Sequence, residues 1–164
     1  MSLTKRLIEL SMLLLTFFSG CTSAPCMDQQ TSAVAVWDLE NLNPDEAIGT
    51  GMGELLAAKV IETLNESSTF QVVERERLIL ALEELTRGST SMVDESTRLK
   101  IGRIVGARFM VFGGYFVLGG MIRLDLRLVE VETGRVVKAA QKTTSAGDLS
   151  GWLKAARQAA EELI

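Results

Sequence analysis

Histidine is absent from the 164 residues. That removes any Ser-His-Asp or Cys-His dyad and the commonest transition-metal ligand. Cysteine occurs only as Cys21 and Cys26, which form no Cys-x-x-Cys pair, so zinc-ribbon and thioredoxin-like chemistry is excluded. A run of basic residues is missing too. The formal charge is −4, and the first twenty residues carry Lys5, Arg6 and Glu9, which leaves −5 for the remainder. An acidic chain of this kind has no electrostatic footing for nucleic acid. No apolar run reaches the length of about 20 residues that a spanning helix needs. These absences lead us to expect no enzyme activity, no metal and no cofactor.

What is present suffices for one folded domain. Apolar residues make up 47% of the chain. The length leaves roughly 140 residues for a two-layer core once a targeting segment is set aside. That segment is the N-terminus. Lys5-Arg6 is followed by apolar residues 7–18, interrupted by Glu9, and then by Phe18-Ser19-Gly20-Cys21. Small residues before a cysteine suit a protease that cuts at Cys21 after its thiol receives lipid. The segment resembles the lipobox of bacterial lipoproteins, with Phe18 standing where leucine is usual. A buried helix, an uncleaved anchor and an ordinary signal peptide are the competing readings. Each buried CH₂ of an acyl chain contributes about 0.8 kcal/mol, so several chains together make attachment durable. Thr22, rather than Asp, after the cysteine favours the outer membrane by resemblance to the enterobacterial sorting rule. Residues 1–20 then form the signal peptide, 21–32 a lipidated tether holding Pro25 and Cys26, and 33–164 the domain. Cys26 is read as an incidental tether residue.

Periodicity orders the domain as β-α-β-α-α-β-β-β-α. Residues 33–38 (AVAVWD) read as a buried strand, 41–46 as a loop, and 50–65 as a helix with Met52, Leu55, Leu56, Val60 and Leu64 on one face. Residues 70–73 form a second strand. A helix over 74–86 carries Leu78, Leu82 and Leu85 and stops at Gly88. Asp94 or Ser96 caps a third helix, with Ile101, Ile104 and Val105 inward. Residues 108–118 and 121–131 flank the two-residue hairpin signal Gly119-Gly120. Ile122, Leu124, Leu126 and Leu128 alternate with Arg123, Asp125 and Arg127, giving one buried and one wet face, and a bulge is expected at Leu128-Val129. A last strand over 135–144 precedes a helix over 148–164 with Leu149, Trp152, Leu153, Ala156, Ala160 and Leu163 on one face. The fold class is α/β (α+β), a single mixed sheet of about five strands packed with about four helices.

Most candidate sites have structural readings. Gly49-Thr50-Gly51-Met52-Gly53 opens a helix but matches neither phosphate-binding glycine pattern, so it reads as a flexible helix entrance. Glu74-Arg75-Glu76-Arg77 reads as a local ion pair or helix start. Gly113-Gly114 inside a strand permits another backbone to approach, or marks a kink or bulge. Tyr115, Phe116 and Leu118, with Val117, form an apolar hairpin tip: a contact for a partner or membrane if exposed, core if covered.

Four blocks then carry a resemblance to the family of the curli secretion component CsgG and its short relatives. They are Ala33-Val34-Ala35-Val36; Phe70-Gln71-Val72-Val73-Glu74-Arg75 with Glu83-Glu84-Leu85 after it; Gly106-Ala107-Arg108-Phe109-Met110-Val111-Phe112-Gly113; and the strand Leu126–Val131 running into Glu132-Thr133-Gly134. The likeness spans about 33–145. It implies a periplasmic α/β domain on an outer-membrane lipoprotein, anchored through Cys21 at the periplasmic face. The pore-forming member carries inserted amphipathic hairpins. Here the corresponding turn is Gly119-Gly120, and no alternating stretch of the needed length follows Thr144. A membrane hairpin needs around 20 residues, so the expectation is a binding module, not a self-sufficient pore. Its expected partners are the membrane, through lipid, and envelope proteins; a homo-oligomer stays open. The expected role is non-enzymatic assistance in assembly or secretion of curli-like surface structures. The alternatives are a regulator of a peptidoglycan synthase, against which a tether of at most ~40 Å argues, and a flagellum-associated lipoprotein.

Overall fold

The apolar run after Ser32 forms strand β1, Ser32–Val36, and it is covered on both faces: Val34, Ala35 and Val36 are all buried. Such double burial is what a continuous apolar run, without alternation, encodes. In the computed structural model, which describes residues 31–43, 51–87 and 94–164, a compact unit spans Thr31–Ile164. Glu40–Asn41 makes a short β2. Helix α1, Met52–Glu66, leads to β3, Phe70–Val72, then to helices α2, Arg75–Thr86, and α3, Glu95–Ile104. The meander β4, Phe109–Leu118, β5, Met121–Glu130, and β6, Val136–Ser145, follows, and α4, Leu149–Glu161, comes last. The expected order holds, with β2 as the addition.

The mixed sheet runs β3-β1-β4-β5-β6, and β2 pairs with β4. β1 is parallel to both β3 and β4, with Val34 beside Phe109, and β2 is parallel to β4 at Gly114 and Tyr115. β4, β5 and β6 are antiparallel. Gly119 and Gly120 both have positive φ, 60° and 78°, the conformation a tight two-residue hairpin demands and glycine adopts without strain.

Helices cover both faces. On one, α1 and α4 pack over Val34, Val36, Val111, Tyr115, Ile122, Leu124, Leu126, Leu128 and Ala140. On the other, Leu78 and Ala81 of α2 and Ile101 of α3 pack over Ala35, Met110, Phe112, Val129 and Val131. Alternation along β5 therefore continues without interruption. Val129 is buried because α3 covers that end of the second face. The register shift does fall at Leu128/Val129, but Val137 on β6 is the residue left over, since Val129 pairs Val136 and Leu128 pairs Lys138.

Several side chains expected inward point out. Ile104 is 58% exposed, because the inward side of α3 is set by Arg98, Ile101, Gly102 and Val105; Met110 presses where Gly102 lacks a Cβ. Leu55 is exposed opposite the buried stripe Leu56, Ala57, Val60 and Leu64. Leu85 and Leu149 lie at helix ends and are exposed. Gly88 lies outside the described residues. Asp94 is the α3 cap, accepting from the Thr97 amide at 2.8 Å.

Candidate binding surface

The helices leave part of the second face open near the β4–β5 turn. Side chains alternate there, so Phe116 and Leu118 share that face with Met121 and Arg123, their cross-strand partners being Arg123 for Phe116 and Met121 for Leu118. Leu118 is 74% exposed, Met121 45% and nearby Leu42 55%. Phe116 is half-buried beneath the Arg123 guanidinium, 5.6 Å from its ring centroid. Arg123 also donates to Asp125, Nε to Oδ2 at 2.9 Å, which fixes the cation over the ring.

Tyr115 belongs to the opposite face and is corrected from surface to core. It is 3% exposed, its ring lies 6.3 Å from Trp152, and burial raises its phenol pKa above the ordinary value. Of the three expected contacts, Leu118 fully and Phe116 partly present surface. Leu42, Met121 and Arg123 were not anticipated. Met121 and Arg123 were legible from their position beside the glycine turn, whereas Leu42 required knowledge of β2.

β2 shapes this surface. It continues the side of β4 that β1 leaves, and Asn43 extends it. The Asn43 side chain accepts from the Val117 amide at 2.9 Å and donates to the Val117 carbonyl at 3.2 Å, in place of a strand residue. Gly114 inside β4 permits this approach without a bulge. A Cβ on Gly114 would stand 3.2 Å from the Glu40 carbonyl oxygen and 3.0 Å from Leu42 Cδ1.

The other candidates take structural roles. Gly53 admits the Leu39 carbonyl oxygen, which would lie 2.1 Å from an added Cβ. Gly49 lies outside the described residues. Glu74 and Arg75 do stand at a helix start. Arg75 pairs across the chain with Asp38, Nη2 to Oδ2 at 2.8 Å, and lies 3.7 Å from Glu54, so its ion pair ties α2 to the loop after β1 and is not local. That hydrogen bond to Asp38 raises the Arg75 pKa. A crevice beside this pair, lined by Trp37, Leu78 and Ile79 among others, holds about 60 Å³. That is below the usual range of about 300–1,000 Å³ for a ligand pocket; wider open clefts lie beside Glu54 and Arg75, about 380 Å³, and beside Arg103 and Glu130, about 440 Å³. Among the described residues no group of three or more Cys, Asp or Glu could hold a metal, and no helix is long and apolar enough to cross a membrane. Phe18, Ser19, Gly20, Cys21 and Cys26 lie outside the described residues.

A family model described as curli production assembly/transport component CsgG matches residues 22–118. The chain belongs to the CsgG family. Solved structures extend the likeness of this CsgG domain. The LpoB C-terminal domain from Salmonella enterica aligns with a TM-score of 0.58 and 17% identity over 70% of this chain and 83% of that one. Its Escherichia coli counterpart gives 0.57 and 18% over the same shares. A PelC dodecamer from Paraburkholderia phytofirmans gives 0.53 and 16% over 87% of this chain and 94% of that one. At these identities the likeness shows the shared fold. The search of curated proteins yields no match.

Proposed function

We propose that this protein is a non-enzymatic lipoprotein of the bacterial outer membrane, anchored through Cys21 at the periplasmic face. Its CsgG domain assists assembly or secretion of surface structures by binding other envelope proteins. Family membership over residues 22–118 carries the reading. The two-residue turn at Gly119-Gly120, where the resemblance places an inserted hairpin in the pore-forming member, favours a binding module over a pore. The exposed apolar group of Leu118, Met121 and Leu42 is the contact surface of that module. A homo-oligomer is the second reading, favoured by the dodecameric assembly of the PelC structure that shares this fold.

Two measurements test this. Metabolic labelling with an alkyne fatty acid should mark the chain, and Cys21→Ala should lose the label and move to the soluble periplasmic fraction. Retained label would end the anchoring claim. A deletion strain should lose a surface fibre or polymer, restored by the wild-type gene and not by Leu118→Asp. Intact surface structures in the deletion strain would end the assembly claim.

A further inference from the structure

The sheet has two lateral edges, protected very differently. β3 is three residues long, and β4 beyond β1 is covered by β2 and Asn43. β6 is ten residues long and among the described residues pairs with β5 alone. Its start is irregular, since Val137 is left over at the register shift. From Lys138 to Ser145 it runs in unbroken register, which leaves about 26 Å of open backbone donors and acceptors. Long regular edges of this kind template a further strand unless blunted by proline, bulges or charge.

The charge here is of one sign. Between Thr133 and Gly147 the chain holds Arg135, Lys138 and Lys142 and no acidic residue, in a protein of net charge −4. Lys138 and Lys142 share the α4 side of the strand with Ala140 and Thr144. Lys142 is bonded to Glu162, and Arg135 lies 3.7 Å from Glu130. Lys138 has no ion-pair partner among the described residues. The opposite side offers Ala139, Gln141 and Thr143, small or polar side chains that leave room for a neighbour.

We propose that β6 is a docking edge for an extended acidic segment of a partner protein, which adds to the sheet as a seventh strand. Main-chain bonds to β6 supply the attachment. A carboxylate on the segment meets Lys138 as its cross-strand neighbour, and a second, four residues on, competes with Glu162 for Lys142. A second copy of β6 brings like charge to the seam and opposes itself. The proposal rests on the binding-module reading above and names the chemistry of one partner.

The test uses purified full-length protein in detergent. The probe is a ten-residue peptide of threonine and valine with glutamate at positions three and seven. Saturable binding by fluorescence anisotropy is expected, with slowed amide hydrogen exchange in residues 138–145. Lys138→Glu should weaken binding at least tenfold. A lysine-for-glutamate peptide, and a peptide N-methylated at alternate residues, should both fail to bind. Absence of saturable binding, protection elsewhere than β6, equal binding of the lysine peptide, or full binding of the N-methylated peptide would each overturn the proposal. None of these outcomes touches the labelling and deletion-strain results, so the two readings fail separately.

Discussion

Gly53 occupies a position where a single methyl group decides whether α1 can sit against the loop after β1. The atom it would meet, the Leu39 carbonyl oxygen at 2.1 Å, is backbone and cannot rotate away. The Leu39 amide donates in turn to the Gly53 carbonyl at 3.3 Å, so separating the segments also strains that bond. Gly53→Ala is expected to destabilise the domain by about 1–3 kcal/mol, the usual range for overpacking. The shift should appear in the urea midpoint at constant slope, and a change below about 0.5 kcal/mol, within the range of neutral surface substitutions, would show that the close approach is dispensable. Tyr115 offers a second residue-scale measurement, because it is the sole tyrosine. Burial raises its pKa. A raised pKa means the folded state holds the phenol proton more tightly than the unfolded chain does. The associated stability is complete below pH about 10, the ordinary phenol value, and is lost as pH rises through the folded value. Phenolate absorbance should therefore appear above pH about 10, and Tyr115→Phe should flatten the alkaline decline in stability. A midpoint at or below the ordinary value would contradict burial of the hydroxyl.

Elements were legible where one physical pattern dominated. Alternation in β5 identified both the strand and its covered face, and the paired glycines identified the turn. The Asp94 cap was readable as well, and its electrostatics can be checked. Asp94 accepts from Thr97 and from the Ser96 hydroxyl, and these bonds, that to Thr97 foremost, lower its pKa. A lowered pKa gives a contribution present above the ordinary carboxylate range and lost as pH falls through the folded value. Asp94→Asn retains an acceptor and should reduce the acid sensitivity of α3, whereas Asp94→Ala should fray its first turn at neutral pH. Exchange rates of the Thr97 and Arg98 amides report both, and unchanged rates in Asp94→Ala would remove the cap from the account. What was not legible depends on distant chain. β2 has two residues and no hydrophobic signature; Gly114 and the reach of Asn43 to Val117 place it. Ile104 matched a helical stripe, but Gly102 and Arg98 turn α3 so that the stripe misses it. Tyr115 reads like its neighbours in sequence, and only the parity of β4 assigns it to the buried face.

At the scale of the whole molecule, the exposed apolar surface and the start of β1 lie at opposite ends of the sheet. β1 begins at Ser32 and runs parallel to β4, with Val34 beside Phe109. Leu118 lies nine residues beyond Phe109, about 30 Å further along the sheet. On the proposed anchoring, the chain between Cys21 and β1 is about 11 residues and spans at most ~40 Å when extended. Bringing Leu118 to the bilayer would require that segment to run back along the domain at nearly full extension, at a large cost in chain entropy. The apolar tip is therefore expected to face the periplasm and to meet protein there. A spin label at Leu118→Cys, in a Cys26→Ser background with the anchor intact, should be more accessible to a water-soluble nickel reagent than to oxygen in reconstituted vesicles. Greater oxygen accessibility, the signature of immersion in acyl chains, would turn Leu118, Met121 and Leu42 from a protein contact into a membrane contact, and the partner surface would have to be sought elsewhere on the domain.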